Sequence, residues 1–73
     1  MKPFNLVGVD GNAFAIMGYT SNALKKAGLR DKIEEMHSKA TSGNYYHLIA
    51  VCDEYITLAN EALGLTEDDY GED

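Results

Sequence analysis

The sequence predicts a mainly α protein, in which three helices form one small compact domain behind a short extended segment. Its 73 residues suffice for a single small domain and are too few for a barrel or a doubly wound sheet. Apolar residues recur three and four positions apart through most of the chain, which is the spacing of one helix face. One proline and seven glycines are too few for a low-complexity chain. We therefore expect a folded domain over residues 1–65 and a frayed acidic tail over residues 66–73.

The first predicted element is an extended segment over residues 4–9. Leu6, Val7 and Val9 are typical of strands, and the turn residues Asp10 and Gly11 end the segment. A single strand is not stable by itself. The segment must therefore pair with the C-terminal part of the chain or with a second chain, or else lie across the helices.

The first helix is predicted over residues 12–27, with Asp10 or Asn12 as its N-cap and Gly28 as its left-handed stop. Its inward face should carry the apolar positions that recur at helical spacing, together with one threonine. These positions are Ala13, Ile16, Met17, Thr20, Leu24 and Ala27.

A second, short helix is predicted over residues 31–40. Asp31 is its expected N-cap, and Glu34 three residues later completes the pattern of a capping box. We expect its inward stripe to consist of Ile33, Met36, His37 and Ala40.

The third and longest helix is predicted over residues 45–63, between a cap at Ser42 or Asn44 and a stop at Gly64. Its apolar side chains cover close to half of the helix circumference. They are Tyr45, Leu48, Ile49, Val51, Cys52, Tyr55, Ile56, Leu58, Ala59, Ala62 and Leu63. The predicted core of the domain is Ile16, Leu24, Ile33, Met36, Leu48, Val51, Cys52, Tyr55 and Ala59.

Charge is distributed unevenly along the chain. In residues 1–52, all six bases stand against four acids, which gives +2. Residues 53–73 hold eight acids and no base, so this third carries −8 and the whole chain −6. Such asymmetry is typical of an interaction tail or of a solvating tail.

Hydropathy and cysteine content favour a cytoplasmic protein. The longest uncharged runs, residues 11–24 and 40–52, are shorter than the roughly 18 apolar residues of a membrane-spanning helix. Asp10 interrupts the short apolar stretch near the N-terminus before it reaches the length of a signal peptide. Cys52 is the only cysteine, so an internal disulfide is excluded and a reducing compartment fits best.

Two stretches, GNAFAIMG over residues 11–18 and ATSGNYYHL over residues 40–48, resemble a family of very small uncharacterised proteins of bacteriophages, prophages and bacterial genomes. The resemblance spans roughly residues 6–56. Relatives carry an acid where this chain has Asn44, and often another where it has Tyr46. They end soon after the third helix, so the acidic extension of this chain is additional. The resemblance implies a phage or mobile-element origin in a bacterial host cell, and it brings no catalytic residue with it. Small phage proteins often act as accessory factors that bind a host protein, which is an analogy rather than a mechanism.

Metal binding and catalysis are disfavoured by spacing and by expected burial. His37, His47, Cys52 and Asp53 are the candidate ligands, but His47 and Cys52 stand five apart, whereas two ligands on one helix should stand four apart. Cys52 is expected in the core, where a thiol is a poor nucleophile. We therefore expect no metal ion, no cofactor and no enzymatic activity.

A helix-turn-helix regulator of DNA or RNA is the alternative function. Four bases fall within eight residues around the turn between the first two helices, namely Lys25, Lys26, Arg30 and Lys32. However, Glu34 and Glu35 follow at once on the helix that would face the anionic duplex, and the whole chain is acidic. Direct nucleic-acid binding is therefore not the favoured prediction.

The favoured prediction is a non-enzymatic accessory or inhibitor protein that binds a host protein with a basic surface, such as one that itself binds nucleic acid. Tyr46, Asp53 and Asn60 recur every seven residues, and Glu54 and Glu61 form a second row beside them. The acidic tail residues Glu67, Asp68 and Asp69 extend this predicted surface. Carboxylates spaced along a rigid helix resemble the field of a nucleic acid and steer a basic partner.

A structural homo-oligomer is the third possibility. The nearly half-apolar third helix and the unpaired extended segment expose more apolar surface and backbone than a small monomer easily hides. They predict self-association, in the simplest case as a homodimer.

Overall fold

The computed structural model describes residues 2–65, and it confirms the mainly α class. Helix α1 spans Ala13–Lys26, α2 spans Ile33–Ala40 and α3 spans Tyr45–Ala62, and a single 3-10 turn at Arg30–Lys32 leads into α2. The predicted acidic tail, residues 66–73, lies outside the described residues. Within residues 2–65, no helix combines the length and the apolar character needed to cross a membrane.

The three helices run up, down and up. Ala13 and Tyr45, the first residues of α1 and α3, line the same groove as Ala40, the last residue of α2. One or two turns further along α1 and α3, the hydroxyl of Thr20 meets the thiol of Cys52. The beginnings of α1 and α3 and the end of α2 therefore lie at one end of the bundle, which we call the groove end.

The ends of α1 and α3 follow the sequence prediction closely. The side chain of Asn12 accepts hydrogen bonds from two backbone N–H groups at the start of α1, and Asn44 does the same for one N–H of α3. Both helices end at a glycine in the left-handed region, with φ of 75° at Gly28 and 71° at Gly64. The following N–H then bonds back to a carbonyl of the last turn, as in the Leu29 to Leu24 bond of 2.8 Å.

Helix α2 departs from the prediction at its start. It begins at Ile33, and its N-cap position is Lys32, which makes no side-chain capping bond. Asp31 lies in the 3-10 turn, so the predicted capping box with Glu34 does not form. The reason is backbone geometry: Lys32 is already helical, with φ −89° and ψ −12°, whereas a capping side chain needs an extended residue.

The core forms where the inward stripes of the helices meet. Eight of the nine predicted core residues are buried, and Ile33 is partly buried against them. His37 was predicted to face inward and is instead exposed, with its Nε2 3.1 Å from the Ser21 hydroxyl. Thr20 is a polar residue in the core, and its hydroxyl donates to the Ile16 carbonyl at 2.8 Å, so its burial leaves no unpaired donor.

The N-terminal segment contains no strand in the part of the chain that the structure describes. It lies across the helices, which is one of the arrangements that the sequence left open. Gly8, with φ of 86°, forms a turn closed by the hydrogen bond from the Val9 N–H to the Leu6 carbonyl at 3.1 Å. This turn interrupts the predicted extended backbone, because an extended strand cannot contain a residue in the left-handed region.

The side chain of Asn60 holds this segment in place. Its Oδ1 accepts from the Phe4 N–H at 2.8 Å, and its Nδ2 donates to the Phe4 carbonyl at 2.9 Å. The neighbouring Asn5 N–H donates to the Tyr19 hydroxyl at 3.0 Å, and the Phe4 ring packs edge-on against Tyr19. The amide of one side chain thus takes the place of a partner strand.

Much of the backbone and apolar surface that predicts self-association is covered within one chain. The backbone of Phe4 is paired with Asn60, and six α3 residues of the apolar half are buried. Tyr45 and Leu58, which belong to the predicted apolar half of α3, remain exposed. Self-association remains a prediction, and these two side chains are the part of α3 that still favours it.

Candidate partner-binding surface

An acidic strip runs along the outward side of α3. Asp53, Glu54 and Glu61 are all exposed, and Tyr46 at the start of the helix is 81% exposed. These side chains share one side because they recur at about seven residues, close to two helical turns. From Tyr46 to Glu61 the strip is about 22 Å long at 1.5 Å per residue. We call these four residues the acidic strip.

Asn60 does not belong to the acidic strip, although the sequence predicted it there. It is partly buried, and both ends of its amide are engaged by the backbone of Phe4. Its position in the heptad row is outward, but the N-terminal segment covers that flank of α3. The predicted tail residues Glu67, Asp68 and Asp69 lie outside the described residues.

A second acidic group, outside the predicted partner-binding surface, comes from α2. The hydroxyl of Tyr55 donates a hydrogen bond to the Glu35 carboxylate, although the Tyr55 ring itself is buried in the core. This hydrogen bond lowers the pKa of Glu35 below its ordinary value, and the positive charges of Lys32 and Lys39 lower it further against the opposing effect of desolvation. Glu35 therefore keeps its negative charge to a lower pH than an ordinary glutamate.

Glu35 and Glu54 face each other across a shallow groove that also contains Tyr55 and Leu58. The ammonium of Lys39 lies 5.7 Å from the centre of the Tyr55 ring. Its pKa is raised, first by its interaction with the Tyr55 hydroxyl and then by the nearby carboxylates, Glu54 among them. Lys39 thus offsets part of the negative charge where α2 meets α3, including part of the charge of Glu54 in the acidic strip.

Exposed aromatic rings stand at the groove end of the bundle. Tyr45 and Tyr46 pack edge to face with ring centres 6.1 Å apart, and the Tyr45 hydroxyl donates to the Gly11 carbonyl. Across from Tyr45, Phe14 of α1 is 81% exposed. The rings of Phe14 and Tyr45 flank an apolar groove of about 390 Å³, which we call the anchor groove.

The anchor groove is not visible in the sequence because its residues come from three helix ends. Phe14 follows two residues after the α1 cap and faces outward, so it does not belong to the inward stripe that periodicity identifies. Only the up-down-up packing brings it near Tyr45. Every residue that lines the groove lies within residues 11–18 or 40–48, and no helical period joins these two stretches.

The basic residues of the alternative prediction lie at the end opposite the anchor groove. Lys25, Lys26 and Arg30 are exposed around the end of α1, while Lys32 is partly buried and close to Glu35. Glu34 and Glu35, in the first turn of α2, are both exposed. Because α2 has only eight residues, placing it in a groove of DNA would bring these two carboxylates close to the phosphates together with the basic side chains.

The candidate metal ligands are not brought together. His47 directs its Nε2 at the Lys39 carbonyl, 2.8 Å away, and His37 lies beside Ser21. Within residues 2–65, no three His, Cys, Asp or Glu side chains are grouped so as to hold a metal ion. Cys52 is fully buried, and its burial raises the pKa of the thiol despite a hydrogen bond with Thr20. Its place is that of a small core residue.

Comparison of the chain with models of protein families, with curated proteins and with solved structures gives no match. The phage-protein resemblance stays a prediction.

Proposed function

We propose that this protein is a non-enzymatic accessory or inhibitor protein of phage type, which binds a host protein with a basic surface. The observation that carries the proposal is the acidic strip, in which an exposed tyrosine is continuous with carboxylates on one rigid helix. The partner's own ligand would be an anion, and a nucleic-acid-binding protein is the partner class that this charge pattern suits best.

Electrostatics supports the direction of this proposal. Asp53, Glu54 and Glu61 are exposed on an α-helix whose inner side is packed into the core, so their relative positions are fixed. Fixed carboxylates of one sign attract a basic surface over roughly a Debye length, which raises the rate of association. The net charge of −6 acts in the same direction.

Tyr46 supplies the contact area that the carboxylates lack. Exposed charge pairs at the rim of an interface add little affinity, whereas a buried tyrosine at the centre often adds much of it. At 81% exposure the Tyr46 ring has most of its surface still to bury, and it packs at a steep angle against the Tyr45 ring. This contact restricts the Tyr46 ring before a partner binds.

A small nucleic-acid-binding regulator is the second candidate. The exposure of Lys25, Lys26 and Arg30 at one end of the bundle favours it. Glu34 and Glu35 on the adjacent helix, and the acidic balance of the chain, disfavour it.

The test of the proposed function is comparative capture from bacterial lysate with the affinity-tagged full chain, followed by mass spectrometry. The parent and the variant Asp53→Asn/Glu54→Gln should differ in the basic proteins they retain. The matched control is Asp31→Asn/Glu34→Gln, which removes the same two charges from exposed carboxylates outside the acidic strip. It should capture what the parent captures.

Kinetics on the purified partner then separate the two contributions. Tyr46→Ala should weaken affinity mainly by faster dissociation, by about 30-fold if the ring is a hot spot worth roughly 2 kcal/mol. Neutralising Asp53, Glu54 and Glu61 should mainly slow association and flatten its dependence on salt. A partner that binds all of these variants as it binds the parent would show that the acidic strip is a solvated exterior.

A further inference from the structure

The anchor groove is shaped for an apolar side chain. Its floor is formed by the buried side chains of Met17, Ala40 and Leu48, and the rings of Phe14 and Tyr45 rise beside it. Among the described residues, none that lines it is charged. Ala40 and the nearby Gly43 leave the space open because their side chains are small or absent.

The groove is largely preformed. Tyr45 is fixed at its far end by the hydrogen bond to the Gly11 carbonyl and along its ring by Tyr46. The turn before α3 is tightly packed, since a Cβ at Gly43 would lie 2.7 Å from the ring of His47. A preformed site loses less conformational entropy when a ligand binds, so ordering the groove wall reduces the binding free energy only slightly.

Exposed carboxylates lie outside the groove lining, before the start of α1 and along the outward side of α3. Asp10 directly precedes Gly11, whose carbonyl accepts from the Tyr45 hydroxyl. On α3, Tyr46 follows the groove residue Tyr45 and is the first residue of the acidic strip. We infer that the anchor groove receives an aromatic or large aliphatic side chain from a Lys- and Arg-rich segment of the protein partner, an inference that rests on the proposed function.

The charge pattern selects this occupant over a second copy of the chain. A second copy would bring its own Asp10, acidic strip and net charge of −6 to a chain that is already acidic. A basic segment instead pairs with these carboxylates while its apolar side chain enters the groove. Asp53 lies about 12 Å along the helix axis from Tyr45, which lines the groove, so the segment should carry a basic residue at about that distance from its anchor.

The experiment selects binders from a displayed library of random 16-residue peptides on the immobilised full-length chain. Enriched peptides should combine several Lys or Arg residues with one aromatic or large aliphatic residue. The best peptide is then synthesised with a fluorescent label, in two forms that differ only in having this residue or Ala. Fluorescence anisotropy should show at least about tenfold weaker binding of the Ala form, the loss typical of an interface anchor.

Two variants of the protein test whether the weaker binding of the Ala form of the peptide arises in the groove. In Phe14→Ala, whose ring is exposed and makes no contribution to the core, the two peptide forms should bind within about twofold of each other, because the wall that distinguishes them is gone. Val7→Ala is the matched control, since Val7 is an exposed apolar residue outside the groove. It should keep the full difference between the peptides.

Several results would overturn the inference. The groove is not the anchor site if replacing the anchor residue of the peptide by Ala weakens binding to Phe14→Ala as much as it weakens binding to the parent. The same conclusion follows if the enriched peptides are basic but contain no apolar residue. Binding of such peptides that is lost in Asp53→Asn/Glu54→Gln would still support the proposed function. Enrichment of no basic peptide overturns both proposals. A sedimentation mass above 8.0 kDa that returns to the monomer in Phe14→Ala would assign the groove to a second copy instead.

Discussion

Removing the Asn60 amide should detach the N-terminal segment from the helices. In the parent, this one side chain makes two hydrogen bonds to the backbone of Phe4, at 2.8 and 2.9 Å. At about 1 kcal/mol net for each bond, Asn60→Ala loses about 2 kcal/mol. Alanine also regains about 0.5 kcal/mol of helix propensity relative to asparagine. The expected net loss is about 1.5 kcal/mol from a total of roughly 4 to 11 kcal/mol for a chain of this length.

The matched control is Thr57→Ala, one turn earlier on α3. Thr57 is exposed, and its replacement gains a similar helix propensity. Thr57→Ala should therefore be slightly more stable than the parent, and the two variants should differ by about 2 kcal/mol. Urea unfolding followed by circular dichroism measures this difference in the free energy of unfolding.

Hydrogen exchange tests the mechanism rather than the magnitude. The Phe4 amide should be protected in the parent and in Thr57→Ala and should exchange much faster in Asn60→Ala, because its acceptor is gone. Equal stability of the two alanine variants, or a Phe4 amide that stays protected without Asn60, would refute the reasoning. The segment would then be held by its contacts with Tyr19, namely the packing of the Phe4 ring and the hydrogen bond from the Asn5 N–H.

Three further predictions concern charge and reactivity. The Glu35 carboxylate, followed by NMR, should titrate below its ordinary pKa of 4.5, and its pKa should return toward that value in Tyr55→Phe. Because the folded pKa is lower than the unfolded pKa, the stability that Glu35 contributes is present above the unfolded pKa and is lost as the pH falls through the folded pKa. An unchanged titration midpoint in Tyr55→Phe would contradict this prediction. The Cys52 thiol should react with an aromatic disulfide reagent far more slowly in the folded protein than in urea, because it is buried and its pKa is raised; equal rates would place it at the surface. Duplex DNA should not be shifted in a gel at physiological salt; salt-sensitive binding that disappears in Lys25→Glu/Arg30→Glu would promote the regulator hypothesis.

The local signals of the sequence determined most of the helical framework. The caps Asn12 and Asn44 and the stops Gly28 and Gly64 placed the ends of α1 and α3 within about one residue, because each acts on the backbone within a few positions of itself. Helical periodicity likewise identified eight of the nine predicted core residues as buried. The start of α2 was misplaced, since the backbone of Lys32 was set by the 3-10 turn and not by the capping pattern.

The candidate site was only partly predictable. The exposure of Tyr46, Asp53, Glu54 and Glu61 follows from the period of one helix, so the sequence was sufficient for it. The position of Glu35 beside this surface depends on its hydrogen bond with the Tyr55 hydroxyl, which joins α2 to α3. Asn60 is not part of the acidic strip because Phe4, 56 residues earlier in the chain, covers it.

By itself, the sequence determined which residues form each helix and which side of each helix is apolar, because those properties depend on neighbours within a turn or two. The tertiary structure alone decided where the N-terminal segment lies and that Phe14, Ala40 and Tyr45 meet in one groove. These features depend on how three helix ends are oriented to one another, and that orientation is set by the packing of the whole core, not by any local pattern.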